Sequence, residues 1–233
     1  MSKGTSTLKF YLIAFFMLIS FISFSQDEDS NNGWDNQAYI SNKIAWGSDS
    51  WRYSGELQVR LKDDFQSLDR WFIEGTASYL YSKKLEIVPD FRISIKPNEV
   101  EYRPGLGILY KLYRDKIQYV NQFKWQIDLD DHSSNHAVRY AIFINKQLNN
   151  KMIINYVAGA VYRWREGFNG IQFIRTGPGI TRIFNDQHTI NFNYYLSIDN
   201  DGENWHWAGI PSIQLIINID KDYKYLPAKF FSF

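Results

Sequence analysis

Between Trp51 and Leu61 the chain changes character at every residue. Trp51, Tyr53, Gly55, Leu57, Val59 and Leu61 alternate with Arg52, Ser54, Glu56, Gln58 and Arg60. A period of two places these sets on opposite faces of an extended strand, one apolar and one charged. The pattern recurs over Trp71–Tyr81, Leu85–Ile95, Val100–Leu112, Ile117–Leu129, Met152–Trp164, Ile190–Ile198 and Trp205–Ile219. Asn36–Trp46, Ala137–Gln147 and Ile171–Phe184 alternate less cleanly and read as further strands. No segment carries a helical period of any length. Polar turns separate the runs. Short ones lie at Ser82-Lys83-Lys84, Arg114-Asp115-Lys116, Asn149-Asn150-Lys151 and Asn185-Asp186-Gln187, longer ones at Lys62–Asp69, Asp130–Asn135, Glu166–Gly170 and Asn200–Asn204. The order is hairpin after hairpin, with short and long connections largely alternating as they do in membrane barrels.

Strand length separates a membrane wall from a soluble sandwich. Runs of ten to thirteen residues exceed the ~5–6 of globular strands and match the ~9–11 of a tilted bilayer crossing. Trp51, Trp71, Tyr81, Tyr110, Trp164 and Trp205 sit at strand ends, where an interfacial belt uses amphipathic rings. An aromatic content of 18% with a mean hydropathy of -0.38 fits such girdles better than a soluble core. The expected fold is all-β, an antiparallel up-and-down transmembrane β-barrel of ten to twelve strands. With the apolar face toward lipid, Glu56, Arg60, Glu74, Asp90, Arg92, Glu101, Arg103, Lys124, Arg163 and Arg175 point into a narrow lumen and pair there. Pro89, Pro104, Pro178 and Pro211 fall inside strand runs, where each removes a ladder hydrogen bond, and Pro104-Gly105 and Gly177-Pro178-Gly179 read as bulges or kinks.

The N-terminus supplies the address. Lys3 and Lys9 precede the apolar run Phe10–Phe24, and Ser23-Phe24-Ser25 offers small residues where a signal peptidase reads. Residues 1–25 are expected to be a cleaved signal peptide, 26–33 a flexible acidic segment and 34–233 the barrel. The chain ends in Phe231-Ser232-Phe233. This resembles the C-terminal signal of bacterial outer-membrane barrels, and implies that the barrel-assembly machinery is a partner through Phe233 and the lipid of a Gram-negative outer membrane the surroundings. Counting Asn36–Trp46 and the tail Lys224–Phe233 gives twelve strands, the favoured number, but places the long connections in the periplasm. Dropping both gives ten and places them outside.

Trp34, the run Trp51 with Gly55-Glu56-Leu57-Gln58-Val59-Arg60-Leu61, the pair Asp63-Asp64, Tyr102-Arg103-Pro104-Gly105-Leu106-Gly107 and Ala137-Val138-Arg139-Tyr140 together resemble the domain of unknown function 2490 family. The likeness runs from about Gly33 to Asp220. It implies an outer-membrane-type barrel and supplies no activity or site residue.

Several functions are disfavoured. Net charge is +1, and no predicted face or tail carries a basic run of the kind nucleic acid requires. Cysteine is absent, which removes disulfides, zinc thiolates and a thiol nucleophile. No glycine loop for phosphate is present, and no cofactor is indicated. His188 and His206 are isolated from other metal-ligand types. Asp199, Asp201 and Glu203 crowd one loop, where a weak calcium site competes with ordinary solvation. One motif suggests catalysis: His132, Ser134 and Asn135 resemble the active-site segment of outer-membrane phospholipase A, in which a histidine activates a serine two residues on. Here His136 follows where that family has glycine. The leading expectation is a non-enzymatic outer-membrane barrel with a structural, adhesive or narrow-passage role. The alternatives are a membrane-embedded lipid hydrolase using His132 and Ser134, and a soluble periplasmic carrier with its apolar faces turned inward.

Overall fold

The computed structural model describes residues 33–48, 50–130 and 133–219. The expected signal peptide, most of the acidic segment, His132 and the tail strand ending at Phe233 lie outside these residues. Within them the chain is all strand: β1 (Trp34–Asn36), β2 (Ala38–Gly47), β3 (Trp51–Lys62), β4 (Ser67–Leu80), β5 (Leu85–Lys96), β6 (Glu99–Arg114), β7 (Ile117–Leu129), β8 (Ser134–Asn149), β9 (Met152–Arg165), β10 (Phe168–Ile183), β11 (His188–Asn200) and β12 (Trp205–Asn218). Every consecutive pair from β2 to β12 is antiparallel. β12 then pairs with β1 and β2, closing the sheet on itself.

The closure resolves the parity conflict in an unexpected way. β1 and β2 are one crossing interrupted at Gln37, so the wall has twelve strand segments but eleven crossings. An up-and-down wall with an odd number of crossings must bring its first and last strands together running the same way. The seam is accordingly parallel, with Ser212 opposite Tyr39 through to Asn218 opposite Ala45. Parallel pairing is slightly weaker per residue, so this seam is the least favourable join in the ladder. Pro211 falls between the β1 and β2 stretches, where its missing N–H costs the seam nothing.

Two expectations need correction. The long connections are short: no link between consecutive crossings exceeds four residues. Polar residues assigned to loops extend the ladders instead, as where Ser67 pairs with Lys62 and Ser134 with Leu129. A β-ladder needs only backbone groups, so polarity does not end it. The prolines make no bulges either. Pairing lapses on one side of Pro89, Pro104 and Pro178 and resumes in the same register. The register shifts lie elsewhere, at Arg60/Leu61, Gln147/Asn149 and Ile171/Phe173.

The acidic pair of the family likeness has a structural task. Asp63, Asp64 and Phe65 all take left-handed backbone conformations in the β3–β4 turn. Asn36 donates its side-chain amide to Asp64 Oδ1 at 2.6 Å, and Phe65 N donates to Asn36 O at 3.2 Å. These bonds fasten the strained turn to β1 and offset its conformational cost.

The faces sort as alternation predicts. Ile44, Leu57, Ile73, Phe91, Leu106, Phe123 and Phe192 are exposed on the outer surface. Rings flank that apolar band at both ends. Trp51 and Tyr79 lie 4.9 Å apart on one rim, Tyr162 and Trp164 4.8 Å apart on the other. An exterior with an apolar band between aromatic girdles is the arrangement of a membrane barrel. The soluble-carrier alternative needs those faces inward, and they point outward.

Candidate functional site

The interior is where charge concentrates. All ten residues assigned to the lumen by alternation are buried there, from Arg92 and Lys124 at 0% to Arg163 at 8% exposure. Partners come from paired strands or from across one intervening strand. Lys124 donates to Asp90 at 2.6 Å, with both side chains wholly buried, and the Arg92 guanidinium meets Glu74 at 2.6 Å. Lys43 meets Glu56 at 3.1 Å, and Lys111 meets Glu86. Asp128 is a hub that accepts from both Arg103 and Arg163. Arg103 also reaches Glu101 at 2.8 Å. The Arg92 guanidinium lies 3.9 Å from the Phe72 ring centre, and Arg175 lies 4.2 Å from that of Phe173. Buried charges tolerate such a place only when paired and hydrogen-bonded.

Alternation puts Glu86, Lys111 and Asp128 on the same polar face, and with Lys43 and Arg139 they join the network. More consequential is an apolar cluster inside the wall that includes Val88, Leu109, Val120, Phe143, Val157 and Ile210. These residues occupy the parity read as polar, so only the closed structure reveals that they meet. The lumen is therefore filled twice over, by ion pairs and by hydrocarbon. Phe72, Glu74, Arg92, Gln122, Lys124, Arg139 and Ser197 are each at most 1% exposed, leaving no water-filled passage along their walls.

The catalytic candidate does not assemble from its described members. Ser134 opens β8 on the outer, exposed side, whereas Asn135 is turned toward the lumen side, opposite Asp128. Asn135 donates its amide to Ser133 Oγ at 2.9 Å. Ser133 in turn donates to both carboxylate oxygens of Asp130, through N at 2.6 Å and Oγ at 2.7 Å. That is the bonding of a tight turn. His136, also exposed, stacks on Trp125 with ring centres 6.0 Å apart.

The acidic loop is likewise occupied. Asp199 accepts from Ser197 at 2.9 Å and faces Arg175 at 3.6 Å. The Asp201 carboxylate accepts from the backbone N–H groups of Asn204 and Glu203 and meets His206 at 2.8 Å. Those contacts hold the Asp201 carboxyl well below the ordinary carboxylate range, with Asn204 the largest cause. Among the described residues no three His, Cys, Asp or Glu converge as a metal site.

No family model matches the chain, and no curated protein does. Among solved structures, one titled "NanC porin structure in rhombohedral crystal form" superposes with a TM-score of 0.52 at 9% identity, covering 74% of this chain and 93% of that one. The siderophore receptor PirA from Pseudomonas aeruginosa gives a TM-score of 0.28 at 10% identity, covering 69% of this chain and 33% of that one, too low to carry an argument. The chain is an outer-membrane-type β-barrel with a porin-like fold.

Proposed function

We propose that this protein is a resident of a Gram-negative outer membrane, a closed, non-enzymatic barrel whose role is structural or adhesive. The packed lumen carries this reading. A porin-type passage needs an open, wetted interior, and here inward side chains from every crossing meet in ion pairs and apolar contacts. Insertion by the barrel-assembly machinery through Phe233, and membership of the domain of unknown function 2490 family, belong to the same proposal and rest on the motifs described above.

Two measurements test it. Purified barrel in a planar lipid bilayer is expected to give no stepwise current, whereas regular single-channel steps would replace the structural role with a narrow passage. The protein should also sediment with outer membranes and migrate differently on a gel before and after boiling. A soluble protein unchanged by boiling would sink the membrane assignment. The lipid-hydrolase alternative is checked separately: detergent-solubilised protein is expected to release no fatty acid from phospholipid, with Ser134→Ala indistinguishable from wild type. Release that disappears in Ser134→Ala would establish the enzyme instead.

A further inference from the structure

The two rims of the barrel carry opposite charge. One rim is built by the β2–β3, β4–β5, β6–β7, β8–β9 and β10–β11 connections. Lys83 and Lys84 stand in the β4–β5 turn, Arg114 and Lys116 at the β6–β7 turn. Lys146 and Lys151 flank the next hairpin, and Arg182 ends the arc near the close of β10. All seven are exposed, and none forms an ion pair with a described residue. Asp115 and Asp186 are the carboxylates among the described residues of these turns. The other rim is acidic, with Asp35, Asp63 and Asp64 at or beside β1, Glu99 opening β6, and Asp130, Glu166, Asp201 and Glu203 in later connections. Of its basic side chains, Lys62 and Lys96 are engaged by Asp63 and Glu99, and Arg165 donates to the Asp201 backbone oxygen and lies over the Phe168 ring, while the His206 ring meets Asp201.

We infer that the basic rim is a docking collar for anionic phospholipid headgroups, which fixes the barrel with this rim in the phospholipid leaflet. The inference rests on the barrel spanning a membrane. Tyr81, Tyr110 and Tyr113 are exposed beside the arc, so the cations stand at headgroup depth, where belts of Tyr and Trp sit. Adjacent strands lie ~4.8 Å apart, so hairpins on one rim repeat every ~10 Å. Four of the five hairpins, from β4–β5 round to β10–β11, present one or two cations each at that interval. This suits a row of singly charged phosphodiesters better than one polyanion gripped at a single point. Lys and Arg near a membrane surface attract anionic lipid with an effect that salt screens within a Debye length. The acidic rim is repelled from the same surface, so both ends favour one orientation.

The test uses the barrel reconstituted in phosphatidylcholine vesicles containing a small fraction of brominated phosphatidylglycerol, which quenches nearby tryptophan. Trp46 and Trp51 belong to the basic rim. Quenching should exceed that by brominated phosphatidylcholine at equal fraction by roughly twofold or more, and the excess should vanish at about 1 M salt. It should also vanish in the charge reversal Lys83→Glu, Lys84→Glu, Arg114→Glu, Lys116→Glu, whose sites are exposed turns or a strand end, and in Trp46→Phe with Trp51→Phe. Equal quenching by the two lipids, or an excess that survives salt and reversal, overturns the collar. Lipid A displacing the brominated lipid far better, mole for mole, than plain phosphatidylglycerol would assign the rim to lipopolysaccharide and overturn the proposal as stated. Insertion is scored independently by mobility before boiling. A barrel that does not insert therefore refutes the membrane reading itself, and is told apart from one that inserts without selecting lipid.

Discussion

Gly177→Ala is expected to prevent the barrel from forming. A Cβ at this position would lie 1.9 Å from the Tyr194 carbonyl oxygen and 2.9 Å from Tyr195 Cα, both backbone atoms of β11. Neither can move aside as a flexible side chain would, so the only relief is to part β10 from β11. That join lies in the continuous wall, with ladder pairs on both sides of Gly177. Overpacking ordinarily costs ~1–3 kcal/mol, and a backbone clash inside a closed ladder should reach about 3 kcal/mol or more. Gly55→Ala is the matched control, because a Cβ there meets nothing within 4 Å. Folded fraction in detergent, read from unboiled mobility, should collapse for the first variant and hold for the second. A Gly177→Ala barrel with a wild-type denaturation midpoint would mean that β10 and β11 stand further apart.

The second large effect concerns the lumen. Lys124→Met should destabilise the barrel by about 3–5 kcal/mol, because Asp90 would keep a buried carboxylate without its ammonium. Adding Asp90→Leu should restore most of that loss, since replacing a buried pair by hydrocarbon is often neutral. Gly105 explains why the pair fits: a Cβ there would come within 2.6 Å of Lys124 Cε and 2.7 Å of Asp90 Oδ1. Urea midpoints of the two single variants and the double variant in lipid vesicles give the cycle. Single variants as stable as wild type would show that water already reaches Asp90 and Lys124. The interior would then be open, which also bears on the expected absence of current.

Much of the wall was legible because alternation is a local property. Leu57 and Glu56 take opposite faces whatever the rest of the chain does, and the turns at Ser82–Lys84 and Arg114–Lys116 punctuate the strands regardless of closure. The candidate site was less legible. Ser134 and Asn135 read as neighbours in a loop, yet a strand beginning at Ser134 sends them to opposite sides of the wall. The calcium candidate failed similarly, because Asp199 is drawn to Arg175, twenty-four positions earlier, by the pairing of β10 with β11.

The sequence by itself determined the succession of strands and the face taken by residues within the alternating runs, since these follow from a two-residue period and from turn formers. Tertiary structure decided what depends on who meets whom across the circle. The crossing number came out odd, so the seam is parallel; Val88, Leu109, Val120 and Phe143, scattered along four strands, met as a plug. No stretch of the sequence carries a basic run, yet every second turn falls on the same rim, and cations some thirty residues apart became neighbours there. The physical reason is closure. Local alternation orients each side chain, but only a finite circumference fixes which of them share a lumen or a rim.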